Sequence, residues 1–381
     1  MLRVLTNMRL YTLAGIAQYV SGFVAHNEIH KNFMLYGVDV LRPDEPTDTL
    51  WRKRKSRHFH MLRSVVDYPD LGEVNRASHG DLAAFRESFK DVIAAYAKAI
   101  NRVKPDIILI NGSYFLPWCL LQAACDYGKA SVCIHYHGIL KKEVAHWTNT
   151  IDRSLMLKME QGFDVREAFY IFPSQLAKRT VEREVFGHAI SRCAVLPNPV
   201  APEFASPKHR RRSKSIGIVG RWTKIKNIDF IIRLARHNAR SRLPLVINVI
   251  SDLKSPKDTR QFKGLMRFSK PMVNRKLASF YGRQGVIISP STFETYGNVA
   301  QEALASGTPA FVNARMGIAE TFRKLGLNDW VVDFTSPASV LKMARMAASA
   351  RVPEQAIATL RDAYSPATIF TKYSKILSSA V

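Results

Sequence analysis

Acidic residues are scarce in this chain, cysteines are scarcer, and no uncharged apolar run approaches the roughly 20 residues needed to cross a bilayer. Each shortage excludes something. Without a long apolar run there is no sequence case for a membrane-spanning helix. The opening residues, MLRVLTNMRLYTLAGIAQYV, also lack the basic, apolar and small-residue regions of a secretory signal, so a cytoplasmic chain is expected. The four cysteines, Cys119, Cys125, Cys133 and Cys193, show no paired metal spacing and lie in apolar stretches. That argues against a disulfide framework and for reduced, packed thiols. Hydrophobic residues make up 47% and charged residues 23%, which excludes an extensively disordered, collagenous or coiled-coil chain. With 381 residues, two domains of ordinary size are expected, each burying its own core.

The shortage of acid leaves a large positive charge. Lysine and arginine number 56 against 31 aspartates and glutamates, a net +25. Residues 1–205 hold 26 basic and 21 acidic side chains, whereas residues 206–381 hold 30 and 10, so the second half carries +20. Such a field attracts polyanions: nucleic acid, anionic lipid, acidic glycan or a phosphorylated small molecule. Charge alone does not choose among them.

Short apolar runs bounded by Pro, Gly and Asn recur along the chain and alternate with helix-like segments. In the first half these runs are RVLTNM, FMLYGVDVL, PDIILING, ASVCIHYHG, AFYIFPS and CAVLPNP. The pattern restarts with SIGIVGR, LVINVIS, GVIISPS, TPAFVN and DWVVDF. Strands separated by helices pair in parallel, so the expected class is α/β with two doubly wound, Rossmann-like domains. The boundaries read as a first domain over 1–200, a linker over 201–214 (APEFASPKHRRRSK) and a second domain over 215–364. A helix over 365–381 opens on a Ser-Pro start signal.

Ligands of open parallel sheets bind beyond the carboxyl ends of the strands, which directs attention to the residues after each apolar run. Gly220 and Arg221 follow SIGIV, with Lys224, Lys226 and Asn227 ahead of a helix. A guanidinium and an ammonium near a helix start suit a diphosphate, although a solvated basic loop has the same composition. After GVIISPS, the stretch PSTFETYGNVAQEALASGTPAFV places Glu294 in a turn, Gly297 where backbone can approach a ligand, and Glu302 in the early turns of a helix begun by Asn298. Carboxylates beside a phosphate site imply a hydroxyl-rich partner, while acid near a helix N-terminus is also favourable in itself. His135 and His137 share one strand face, but no third ligand is evident and a metal site is disfavoured. Gly15 lies in a loop after the first strand.

Taken together, these motifs resemble the retaining glycosyltransferases of family 4. IVGRWTKIKNIDFII is similar to the donor-phosphate segment of that family, and the stretch from Glu294 to Glu302 to its Glu-x7-Glu motif. CAVLPNPVAPEF and SVCIHYHG match two further family segments in order. The resemblance implies two domains facing a cleft, the GT-B arrangement, with the C-terminal helix crossing back to the first domain. It further implies that Arg221 and Lys226 neutralise a donor diphosphate and that Glu302 binds ribose hydroxyls, while Glu294 holds hydroxyls of the transferred sugar. Gly220 and the backbone of Tyr296, Gly297, Asn298 and Val299 would contact donor, Gly15 would close over the diphosphate, and His137 would approach the sugar at the reacting centre. The implied donor is a UDP- or GDP-linked sugar, used without metal or other cofactor. The implied acceptor is a glycan or glycolipid of the cell surface.

A peripheral position on the cytosolic face of a membrane is part of this expectation, with the basic and aromatic WRKRKSRHFHML, residues 51–62, as the surface-binding segment. Two other classes remain open: a nucleic-acid or polyanion binder on an inactive scaffold, and a sugar phosphorylase. Nucleic acid is disfavoured because no recognised binding motif is present, and Glu302 as a ribose ligand argues against the phosphorylase.

Overall fold

The computed structural model describes residues 1–8, 15–45, 56–146, 153–205, 214–253 and 256–381. Part of the proposed surface-binding segment (51–55) and most of the proposed linker (206–213) lie outside the described residues. Contacts divide the chain into two units. The first comprises 1–173, 177–196 and 370–381; the second comprises 174–176 and 197–369.

In the first unit seven strands are described: β1 (Arg3–Asn7), β2 (Met34–Leu41), β3 (Phe59–Val65), β4 (Ile107–Asn111), β5 (Ser131–His135), β6 (Phe169–Phe172) and β7 (Cys193–Val195). They pair in parallel in the order β3-β2-β1-β4-β5-β6-β7. Every residue of β4 is buried, as a strand covered on both faces requires. The end of the C-terminal helix Pro366–Ser379 belongs to this unit, where the Tyr373 ring lies 4.8 Å from Phe23 and 5.5 Å from Tyr19. Strand β3 takes up Phe59 to Leu62, which the sequence reading assigned to a surface-binding segment; pairing with β2 orders that end of it. The thiols also differ from expectation, since Cys125 is exposed on its helix while Cys119 and Cys133 are buried.

In the second unit the described strands are β8 (Ser215–Val219), β9 (Val246–Ile250), β10 (Arg267–Ser269), β11 (Val286–Ser289) and β12 (Ala310–Val312), parallel in the order β10-β9-β8-β11-β12. The run DWVVDF is not a strand. It meets the sheet at one bridge, Val331 to Val312, where the Val332 amide donates to the Val312 carbonyl at 2.8 Å. The helix Ile228–Ala239 shows why such segments fold as they do: Phe230, Ile231, Leu234, Ala235 and Asn238 form one buried stripe, while Arg233, Arg236 and His237 face solvent. Two apolar clusters cover the two faces of the sheet, one around Phe230, Leu234 and Leu341, the other around Phe204, Tyr281 and Leu304. Phe204 corrects the linker boundary. It sits in a short helix, Pro202–Ala205, and is buried against the Tyr281 ring, so the chain has already joined the second core where a free linker was expected. Among the described residues no helix is long and apolar enough to cross a membrane.

Both units solve one backbone problem in the same way. The chain leaving Gly15–His30 in the first unit and Ile228–Ala239 in the second must return to a strand, which strands polar groups in the core. Asn27 donates to the Phe33 carbonyl at 2.9 Å and accepts from the Phe33 amide at 3.0 Å. Asn238 does the same for Leu245, at 2.7 and 2.9 Å. Both asparagines are nearly fully buried, so each bond removed leaves a backbone group without water. Asn238→Ala is therefore expected to destabilise the second unit by about 2–4 kcal/mol, from two newly unsatisfied groups, read as a lowered midpoint in chemical denaturation.

Candidate functional site

Chain order reverses between β8 and β11, so the segments that follow these neighbouring strands diverge and leave room beyond their carboxyl ends. Backbone bonds then fasten the two segments together. The Thr292 amide donates to the Ile225 carbonyl at 2.9 Å, and the Asn227 side chain donates to the Pro290 carbonyl at 3.2 Å. As a result, Lys226 from the first segment reaches Glu294 from the second, with Nζ 2.9 Å from Oε1.

The first segment turns sharply at Gly220, whose φ of +155° suits glycine. Arg221 lies exposed on this turn, and the next amide, that of Trp222, donates to Asp252 Oδ1 at 2.8 Å. A tight helical turn over Lys224–Lys226 ends at Asn227, in left-handed backbone with φ of +57°. The second segment is equally constrained. Ser291 Oγ donates to Glu294 Oε1 at 2.6 Å, the same oxygen that Lys226 engages. One carboxylate oxygen is thus fixed by two donors. Gly297 has φ of +121°, and a Cβ there would lie 2.8 Å from Ile318 Cγ2, so only glycine fits this corner.

The helix Asn298–Ala305 starts immediately after Gly297, and no side chain caps it among the described residues. Its first amides are therefore donors suited to an anion. Asn298 and Val299 are half-buried at this end, and Asn198 donates to Asn298 Oδ1 at 2.8 Å. The Tyr296 side chain points into the core, with its hydroxyl accepting from Gln301 at 2.9 Å, which leaves its backbone as the part able to meet a ligand. One helical turn further, Glu302 accepts from the Tyr281 hydroxyl at 2.8 Å through Oε2. Burial raises the Glu302 carboxyl to about 7, against which the Tyr281 bond acts in the lowering direction.

The first unit holds the other predicted residues. Gly15, exposed, opens the helix Gly15–His30. His137 follows β5, and its Nε2 lies 3.1 Å from Asn111 Oδ1. Asn111 donates its amide to Thr6 Oγ1 at 2.8 Å, which leaves Oδ1 to accept, so His137 is protonated on Nε2. Burial lowers its pKa to about 3, so the ring is neutral. The His135 ring lies 4.0 Å from that of His137, and its Nδ1 is 3.2 Å from the Tyr373 hydroxyl. The backbone after His137 is held by a buried carboxylate. Glu160 accepts from the amides of Leu140 at 2.6 Å and Lys141 at 2.7 Å and from Ser113 Oγ at 3.3 Å, with its own pKa raised to about 7 by burial.

Within the second unit the structure gathers Gly220, Lys226, Glu294, Gly297, Asn298 and Glu302 at one edge of the sheet. Four contributors escaped the sequence reading: Ser291, Tyr281, Asn198 and Asp252. Ser291 stands three residues before Glu294 and was within reach of inspection; Tyr281 and Asp252 carry no local signal.

The fold is GT-B, the glycosyltransferase architecture of two Rossmann-like domains. Sucrose-phosphate synthase of Thermosynechococcus elongatus superposes with a TM-score of 0.73 at 15% identity, over 99% of this chain and 98% of that one. WaaG, a glycosyltransferase involved in lipopolysaccharide biosynthesis, gives 0.68 at 12% identity over 98% and 99%. Residues 201–352 match the family described as Glycosyl transferases group 1. A D-inositol 3-phosphate glycosyltransferase of Nocardiopsis dassonvillei is 31% identical over 160 residues, 35% of this chain and 37% of that protein. This match spans little more than a third of the curated relative.

The Glu302 pKa has a measurable consequence without any ligand. Its folded value lies above the ordinary carboxylate value, so its stabilising contribution is complete below the unfolded pKa and is lost as pH rises through about 7. The cost of ionising it in place is about 3 kcal/mol. Glu302→Gln is expected to make the ligand-free protein more stable than wild type at pH 8 and equal to it near pH 4, as measured by denaturant unfolding at both values.

Proposed function

We propose that the chain is a retaining, nucleotide-sugar-dependent glycosyltransferase of family 4. It moves a sugar from a UDP- or GDP-linked donor to a hydroxyl of a cell-surface polysaccharide, lipopolysaccharide or glycolipid. The observation that carries this reading is the convergence of Lys226, Glu294 and Glu302 at the carboxyl ends of β8 and β11, with the uncapped start of the Asn298–Ala305 helix between Glu294 and Glu302.

Each residue then has a task set by its chemistry. Arg221 and Lys226 meet the diphosphate and stabilise the negative charge that grows as it departs. The oxygen of Glu294 that is not fixed by Ser291 and Lys226 accepts from hydroxyls of the transferred sugar. Glu302 accepts from the ribose hydroxyls, while Tyr281 holds its other oxygen. His137 in the first unit is neutral and pinned by Asn111; its low pKa makes it unsuited to act as a charged acid at neutral pH. In the transfer the bond from the anomeric carbon to the phosphate oxygen breaks, a bond from that carbon to the acceptor oxygen forms, and the acceptor proton passes to the departing phosphate. These residues supply the charge that leaving requires, so the reading calls for no metal ion.

The decisive experiment is a thermal-shift screen of the folded protein against UDP, GDP, ADP and their sugar conjugates without added metal. One base should raise the midpoint, and turnover of its sugar conjugate should fall about 10²–10³-fold in Lys226→Ala, the usual loss on removing a group that stabilises developing charge. A folded protein that responds to no nucleotide, or a Lys226→Ala variant with undiminished turnover, would overturn the proposal. Binding should also depend on pH. Because hydroxyls donate to ionised Glu302, nucleotide affinity is expected to weaken as pH falls from 8 to 6, and this dependence should vanish in Glu302→Gln.

A further inference from the structure

The donor site uses only a small part of the positive charge on the second unit. Seven of the remaining cations lie on two packed helices and the segments that follow them, toward the edge where the strands begin. The segment 230–251 contains Arg233, Arg236, Arg240 and Arg242 and no carboxylate, and the segment 334–353 contains Lys342, Arg345 and Arg351 and no carboxylate. These segments pack together through the helices Ile228–Ala239 and Pro337–Ala347. Arg345 ties their ends by donating to Ser241 Oγ at 2.9 Å and to the Leu243 carbonyl at 3.2 Å. All seven basic side chains are exposed, and none of them has an acidic partner among the described residues.

Apolar side chains stand among these charges. Leu243 is 74% exposed, Met346 66% and Val246 38%. Leu243 lies next to Arg242 in the loop that Arg345 holds, and Met346 shares a helix stripe with Lys342 four residues earlier. The loop itself is rigid: the paired bonds of Asn238 to Leu245 fix its far end. Scattered exposed apolar residues are ordinary. Here two long ones stand beside cations without acidic partners, Leu243 next to Arg242 and Met346 next to Arg345, and that combination suits a partner both anionic and apolar.

We propose that this edge of the second unit docks on an anionic lipid surface, with Leu243 and Met346 entering the headgroup region and the arginines and lysines meeting lipid phosphates. A bilayer of acidic lipid supplies both features of the partner in the right order, charge at the surface and hydrocarbon beneath it. Nucleic acid supplies the charge but offers no hydrocarbon for Leu243 and Met346, and no aromatic side chain occurs in the loop 240–245 to stack on bases. Docked in this way, the unit would turn the carboxyl ends of its strands away from the lipid and leave the donor site open to soluble ligands. The inference does not depend on the proposed reaction.

The test is sedimentation of the full chain with vesicles of equal parts phosphatidylglycerol and phosphatidylcholine, against vesicles of phosphatidylcholine alone. Binding to the acidic vesicles only is expected, falling as salt is raised. The double variant Arg240→Ser with Arg242→Ser should weaken partitioning about 25-fold, at about five-fold per charge. The double variant Leu243→Ser with Met346→Ser should weaken it about ten-fold or more. Since all four side chains are exposed, unfolding midpoints should stay at the wild-type value, which separates lost docking from lost folding. Three results would overturn the proposal: wild-type protein that ignores acidic vesicles, partitioning unchanged in both variants, or a loss confined to the charge variant. The last would identify a polyanion without hydrocarbon, and duplex DNA competing equally well in wild type and apolar variant would point to the same conclusion.

Discussion

The second unit depends on one constraint: the segments leaving β8 and β11 must diverge in chain direction yet stay in contact at their start. The Thr292 amide and the Asn227 side chain meet that constraint through the carbonyls of Ile225 and Pro290. Because both bonds end on backbone carbonyls, the relative position of Lys226 and Glu294 does not rest on two long side chains finding one another. Their ion pair is a consequence of the fastening. A partly covered pair of this kind, still in reach of water, contributes little to stability. Here its value lies in placement, since it and Ser291 orient one oxygen of a carboxylate and leave the other to a ligand.

The same site carries a cost in stability. Glu302 is half-buried, accepts from the Tyr281 hydroxyl alone among the described residues, and holds its proton to about pH 7. A core built only for stability would place an apolar residue there. Two donors from a ribose would supply the bonds that the site withholds, so binding repays what folding gave up. Glu160 in the first unit presents the contrasting case. It is also raised to about 7 by burial, yet its oxygens are already engaged by two amides and a hydroxyl, and its work is to shape the backbone that follows His137.

Charge is divided between the two edges of the second sheet. The carboxyl edge mixes Arg221 and Lys226 with two carboxylates, as recognition of a molecule bearing phosphates and hydroxyls requires. Toward the amino edge, the segments 230–251 and 334–353 hold cations and no carboxylate, with exposed Leu243 and Met346 among them. A net charge of +20 over residues 206–381 describes neither edge, because it averages a balanced site with an unbalanced rim.

Local pattern determined the class of this protein. Alternating apolar runs and amphipathic helices specify two parallel-sheet units, and all but one of the runs read as strands are strands; β3 and β10 were missed because their side chains are mostly polar or half-exposed. The exception, DWVVDF, meets the edge strand β12 at a single bridge because its first residues are taken up in the helical turn Asn328–Trp330. Sequence spacing likewise brought Lys226, Glu294, Gly297 and Glu302 to notice, since turns and helix starts place chemistry within a few residues. Tertiary structure alone decided the rest. Tyr281 meets Glu302 across 21 residues, Asn198 meets Asn298 across 100, and Arg345 meets Leu243 across 102. Pairings of that range are set by which strands lie side by side and which helices cover them, a choice made by burial over the whole unit and recorded in no local stretch of sequence.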